Sequence, residues 1–329
     1  MRAHSGAKGT GRTLSAGPLI DRFRDRIQRW PAAGIGGLRA ALRHLAHLAE
    51  AAALLLIMAV FAALPVDVAS ALGGRIARFI GPHLRLSRRA LGNLARALPE
   101  NDAAENQRIL RGMWDNLGRA MAEHAHLARI CSARSGRVEI VNGGVIDEIL
   151  ASGRPALLFG GHFANWEVGP STIHRLMGGS LLSIYRAANN PWVDRMLRWN
   201  LVARRAVPKG AEGGRALLRH LRAGGHVAML VDQKQNDGIA VPFFGTPAMT
   251  APALGRLGRR FGCPILPIRV ERLSGARFRF TVQPAIEVSD TDDAPGDVLA
   301  VMTRVNAVIE GWVRERPEQW VWLHRRWPS

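Results

Sequence analysis

Apolar residues recur along this chain at two different periods, and the switch between them divides the sequence. From Ile76 to about Ile130 they stand three to five apart with arginines between them: Leu84, Leu86, Leu91, Leu94 and Leu98, then Leu110, Met113, Leu117 and Met121. Such spacing covers one face of a helix. Gly81-Pro82 and Pro99-Glu100-Asn101-Asp102 read as breaks between helices. From Val138 onward the apolar residues instead form short continuous runs, at 155–159 (PALLF), 181–185 (LLSIY), 226–231 (HVAMLV), 264–270 (PILPIRV) and 278–282. Helical stretches at 215–222, 254–261 and 298–314 separate them. Unbroken apolar strands alternating with helices predict an α/β fold, a mainly parallel or mixed sheet covered on both faces. In such folds the site lies at the carboxyl ends of the strands.

The most apolar stretch stands upstream, at 51–64 (AAALLLIMAVFAAL), between Glu50 and Pro65. It falls short of the roughly 20 residues of a full membrane span unless extended back to Leu45, past His47 and Glu50. Three readings fit it: a membrane anchor or interfacial helix, a buried core helix, or a signal peptide cleaved near Ala69-Ser70-Ala71. The last would need a far longer n-region than signal peptides carry, and the anchor is the expectation. Arg22, Arg24, Arg26, Arg29, Arg39 and Arg43 precede it. They favour retention on the cytoplasmic side and suit anionic lipid. The predicted organisation is a disordered basic tail at 1–40, an anchor at 41–66 and a catalytic domain at 67–329.

Composition sharpens this in two ways. The 329 residues carry a formal charge of +19, nearly all as arginine, since Lys8, Lys209 and Lys234 are the only lysines. Such a chain attracts acidic partners. The basic residues lack the aromatic interleaving of a single-strand nucleic-acid platform, so no nucleic-acid partner is expected. Cys131 and Cys263, the only cysteines, stand too far apart for a metal motif, form no disulfide framework and suit a reducing compartment. There is no glycine-rich nucleotide loop, and no metal or cofactor is expected.

Three of the predicted strands end in polar residues. After PALLF come Gly160-Gly161-His162-Phe163-Ala164-Asn165-Trp166-Glu167; after LLSIY comes Arg186, then Asn189-Asn190-Pro191; after HVAMLV come Asp232, Gln233 and Lys234. A parallel sheet brings these tips to one edge. On one helix His162 and Glu167 would point about 140° apart. They can meet only if His162 is still in the loop and Glu167 lies in the first helical turn, a sharp turn that Gly160-Gly161 permits. Glu167 could then hold the imidazole tautomer while His162 acts as general base. The plainer alternatives are a hydrogen-bonded strand-end histidine and a glutamate serving the helix dipole. Arg186 could hold an anion or simply be solvated. Asp232 could be a second polar orienter or a loop cap. Phe243-Phe244-Gly245 and Trp320-Val321-Trp322 read as core that could also line an acyl groove.

With these residues in hand, the chain resembles the late acyltransferases of lipid A biosynthesis, a branch of the glycerolipid acyltransferase superfamily. GGHFANWEVG at 160–169 carries the His-x4-acid block. RALGNL at 89–94, NLGR at 116–119, Tyr185-Arg186 with Asn190-Pro191, Asp232-Gln233, Pro242-Phe243-Phe244-Gly245 with Thr250, and 317–326 (PEQWVWLHRR) resemble the branch's other blocks in order. The resemblance spans roughly residues 40 to 329. It implies a membrane-anchored α/β acyltransferase at the cytoplasmic face of a bacterial inner membrane. The implied donor is an acyl carrier protein and the implied acceptor a hydroxyl on a phosphorylated glycolipid. His162 and Glu167 are the implied catalytic pair, and Asn165, Arg186, Asp232, Gln233 and Arg325 the implied substrate-binding residues. The basic extension before residue 40 departs from the family pattern. So does the absence of the Phe-Pro-Glu-Gly-Thr block of phospholipid-making relatives, which argues against a lysophosphatidate acceptor.

Overall fold

The computed structural model describes residues 36–200 and 206–327. The expected basic tail lies almost wholly outside them. Helix α1 (Gly36–Ala63) contains the apolar run and ends at Leu64-Pro65, where proline halts a helix. Its segment Leu42–Ala63 has a mean hydropathy of 2.1 and is almost entirely exposed. At 22 residues it is about 33 Å long, enough to cross a bilayer. The chain divides at Ala52 into two compact units, and all that follows concerns the second, Ala53–Ser329.

Three helices precede the sheet: α2 (Val66–Ile80), α3 (Arg85–Ala97) and α4 (Ala103–Glu123), the last begun by Asp102, whose carboxylate accepts from the Glu105 N–H. Helices α2 and α4 pack closely because glycine faces glycine: a Cβ on Gly73 would come within 2.5 Å of the Gly118 carbonyl. A short turn of helix, α5 (Leu127–Ile130), leads into the α/β part.

There follow β1 (Val138–Val141), α6 (Gly144–Ser152), β2 (Leu157–Gly160), α7 (Val168–Met177), β3 (Leu181–Tyr185), α8 (Pro191–Asn200), β4 (Ala206–Pro208), α9 (Ala211–Arg222) and β5 (His226–Leu230). A hairpin, β6 (Ile239–Phe243) and β7 (Thr246–Thr250), stands apart from the main sheet. Helix α10 (Ala253–Phe261), β8 (Ile265–Ser274), β9 (Arg277–Val282) and α11 (Ala294–Glu315) complete the chain. The seven-stranded sheet has the order β1-β9-β8-β2-β5-β3-β4. Strands β8, β2, β5, β3 and β4 run parallel, while β9 pairs antiparallel with β8 and carries β1 with it. The fold is the expected mixed α/β sheet.

The strand cores are apolar on both faces, as at Leu157, Leu158 and Phe159, each at most 1% exposed. Two clusters flank the sheet, one built on α3, α4 and α11, the other on α6, α7 and β9. Phe243, Phe244, Trp320 and Trp322 are all buried in the first cluster, so the two aromatic blocks are core.

Candidate active site

Strand β2 lies between β8 and β5, and β5 is bonded on its other side to β3. The register pairs Gly160 with Leu230, which brings the residues just past each strand end side by side. His162 therefore meets Asp232 although 70 residues separate them. The His162 N–H donates to Asp232 Oδ2 at 2.7 Å, and His162 Nδ1 lies 2.7 Å from Oδ1. The indole N–H of Trp320 donates to Oδ2 at 2.8 Å. The Asp232 side chain is fully buried and that of His162 is 17% exposed. Burial alone would raise the Asp232 pKa. The charge of His162, its two hydrogen bonds and the indole outweigh burial and hold the carboxyl well below the usual range.

An ionised Asp232 accepts Nδ1–H, which leaves the lone pair of the neutral ring on Nε2. Facing it at 3.0 Å is the side-chain amide nitrogen of Gln233, which also stands 3.1 Å from His324 Nε2. The two imidazoles meet edge to face at 5.4 Å. Burial first, then the charges of His162, Arg186 and Arg326, push the His324 pKa down to about 4 against the opposing pull of Asp232. His324 is thus a neutral ring at physiological pH.

Glu167 caps the start of α7 while His162 stays in the preceding loop, the arrangement that lets the two side chains share a site. Desolvation raises the Glu167 pKa, and the charge of His162 and a hydrogen bond with Trp166 partly offset it. Its link to the imidazole is through charge. The atom that fixes the ring belongs to Asp232, so the orienting role expected of Glu167 falls geometrically to the residue expected as a second orienter.

The loop between β2 and α7 is pinned from several sides. Its backbone joins the terminal block through Ala164 N–H to the Gln319 carbonyl (2.8 Å) and Val321 N–H to the His162 carbonyl (3.2 Å). Asn116 donates to the Ala164 carbonyl at 3.0 Å. Ala164 sits at φ 48°, a conformation that a non-glycine residue adopts only where its surroundings impose it. Asn165 is 1% exposed. Its amide donates to Glu123 Oε2 at 2.9 Å and its carbonyl accepts from the Glu167 N–H at 3.2 Å. The side chain expected to bind substrate is spent on holding the loop. Glu123, itself fully buried, also accepts from Ser70 and from both terminal nitrogens of Arg272. Neither Trp320, His324 nor Glu123 stands out as a site residue in the sequence. The first two lie in the terminal block beside Arg325, which is the available signal; Glu123 has none.

A cavity of about 520 Å³ opens beside the dyad, within the range of small-molecule sites. Its wall is mostly apolar, with Leu54, Ile57, Met58 and Phe61 of α1, Met121 of α4 and Ile173 of α7. His162, Glu167, Gln233 and His324 line it too, as do the cations Arg186 and Lys209 from the far strand tips. Arg186 is exposed there, whereas the exposed Arg325 stands outside the lining. The upstream helices reach the site as well: Asn93 of α3 donates to the carbonyls of Trp322 and His324, both at 2.7 Å.

A neutral imidazole held by a buried carboxylate beside a long apolar cavity with a cationic edge is equipped for acyl transfer to a hydroxyl. Residues 39–329 match the family described as bacterial lipid A biosynthesis acyltransferase. The chain belongs to that family. It is an acyltransferase of the lipid A biosynthesis type. Among its relatives, the lipid A biosynthesis myristoyltransferase of Escherichia coli K12 is 29% identical over 76% of this chain and 77% of its own length. The lipid A biosynthesis lauroyltransferase of the same strain is 24% identical over 81% and 87%. The lipid A biosynthesis acyltransferase of Haemophilus influenzae is 24% identical over 79% and 81%.

Proposed function

We propose that this acyltransferase moves a fatty acyl chain from an acyl carrier protein thioester to a hydroxyl of a phosphorylated lipid A precursor, at the cytoplasmic face of the inner membrane. The observation that carries the reading is the His162–Asp232 pair at the polar end of an apolar cavity. Nδ1–H donates to Asp232, so Nε2 is the free base. The acceptor hydroxyl displaces the Gln233 amide from Nε2 and gives up its proton there as its oxygen attacks the thioester carbonyl. Asp232 and, through space, Glu167 stabilise the resulting imidazolium. The tetrahedral intermediate collapses by breaking the C–S bond. The thiolate takes the proton back from His162, so the products are an ester and a free carrier thiol. The Gln233 amide, displaced by only the width of the acceptor oxygen, is a donor for the developing oxyanion. Arg186 and Lys209 are cations for the phosphates of the acceptor or carrier. The net charge of +19 draws an acidic carrier inward. The relatives' names include myristoyl and lauroyl transfer, which makes acyl chain length a property of cavity depth. The apolar, exposed α1 supports membrane association.

The test is a transfer assay with membranes carrying the wild type or His162→Ala, radiolabelled acyl carrier protein and a tetraacyl lipid A precursor. Addition of one acyl chain by the wild type alone is the expected result. Transfer by both would remove His162 from the mechanism, and transfer by neither would shift the acceptor to another glycolipid.

A further inference from the structure

Helix α2 carries two faces of different chemistry. The inner face, Val66, Ala69, Ser70, Gly73 and Gly74, is buried, and its glycine meets Gly118 of α4. The outer face is Val68, Leu72, Ile76 and Phe79, spaced four, four and three apart and so confined to an arc of about 80°. All four are exposed, Phe79 at 77%. Ile80, Leu84 and Leu86 extend the row and are exposed too. Singly exposed apolar residues need no account, but a row of seven does. Arg75 and Arg78, both exposed, border it on one side.

Position in the chain tells what covers this row. Only Leu64 and Pro65 separate α2 from Ala63, the last residue of the segment long and apolar enough to cross a membrane. A helix starting two residues beyond a span starts at headgroup depth. With 15 residues and one apolar side, it is built to lie in the plane of the interface. The arginines on its border match an anionic leaflet, their stems lying along apolar surface while the guanidinium groups reach phosphates.

We propose that α2 is an interfacial helix whose outer face sits in the acyl-chain boundary of an anionic membrane leaflet. The inference rests on the membrane association proposed above and goes beyond it by adding a second lipid contact. That contact is coupled to the site: Ser70 on the inner face donates to Glu123, whose other oxygen holds Asn165 of the loop before Glu167. The cavity mouth is thereby held at the bilayer surface, where a lipid acceptor resides.

The test uses single cysteines at exposed positions, Leu72→Cys and Phe79→Cys on α2, Leu56→Cys on α1 and Ala151→Cys at the end of α6. Native Cys131 and Cys263 are buried with thiol pKa values pushed up to about 11, so they label slowly. Each full-length protein carries an environment-sensitive fluorophore and is reconstituted into phosphatidylethanolamine–phosphatidylglycerol vesicles with or without brominated acyl chains. The expected result is a blue shift and bromine quenching at 56, 72 and 79, with neither at 151, and weaker quenching at 72 and 79 when phosphatidylcholine replaces phosphatidylglycerol. Quenching at 56 without quenching at 72 and 79 overturns the proposal while leaving the anchor intact. No quenching at any position overturns the anchor as well. A blue shift at 79 that grows with protein-to-lipid ratio and resists bromine marks a second copy of the chain on this face and also overturns it. Quenching at 72 and 79 that is indifferent to lipid charge overturns the role of the arginines.

Discussion

Two fully buried carboxylates lie close to the same loop and do opposite work. Asp232 faces an imidazole and an indole; Glu123 faces a guanidinium, a hydroxyl and an amide. Arg272 is a permanent cation, so the charge of Glu123 is matched whatever the pH, and its oxygens tie α2, α4, β8 and the loop together. The partner of Asp232 is neutral at rest and becomes charged only during transfer. The pairing teaches that a buried acid does mechanical work when its partner cannot titrate and chemical work when its partner can.

The largest test of that contrast is Asp232→Asn. An amide can offer Nδ1 a donor in place of an acceptor, which favours the wrong tautomer, so transfer falls by about a thousand-fold or more while the thermal midpoint stays near that of the wild type. The depressed Asp232 pKa adds stability above the ordinary carboxylate range that is lost as pH falls through the folded-state value, so the variant differs most from the wild type in neutral solution. Next comes Glu123→Gln, which leaves Arg272 buried without its charge partner. It costs about 3–5 kcal/mol in denaturant unfolding, while the fraction that remains folded keeps its pH profile. A large activity loss without destabilisation would erase the distinction between the two acids.

His324 sharpens the comparison through pH. Its folded-state pKa is depressed to about 4, so protonation favours the unfolded chain. Stability is complete above about 6.5 and declines as pH drops from there to about 4, by up to about 3 kcal/mol. His324→Gln flattens that slope, read from unfolding midpoints across the interval. The smallest effect is expected for Gln233→Ala. Loss of one donor near the reacting oxygen slows transfer by roughly ten- to a hundred-fold, with little change in stability.

The strands were legible because their apolar runs are continuous, and β3 coincides with LLSIY. The meeting of strand tips was legible because parallel neighbours must end on one edge. His162 in a loop and Glu167 at the start of a helix followed from their spacing together with Gly160-Gly161. The identity of the group that holds His162 Nδ1 was not, because nearness along the chain favoured Glu167 whereas register delivered Asp232 from the neighbouring strand. The Glu123 cluster was hidden for the same reason. It joins Ser70, Asn165 and Arg272 across 42 to 149 positions, and no local period encodes that. Asn165 misled differently: a polar residue between a candidate base and a candidate acid suggests a ligand, yet both its polar groups are used internally. Strands β1 and β4 and the hairpin β6–β7 are short or interrupted by proline, so their sequences carry weak strand signals.

The stitching of His162 and Ala164 to Gln319 and Val321 has a consequence for biogenesis. Synthesis proceeds from the amino end, so α1 and its membrane signal are available long before the segment that completes the base. A nascent chain can settle at its destination while still inert, and residues 319–326, made after everything else the site requires, act as the key that arms it in place.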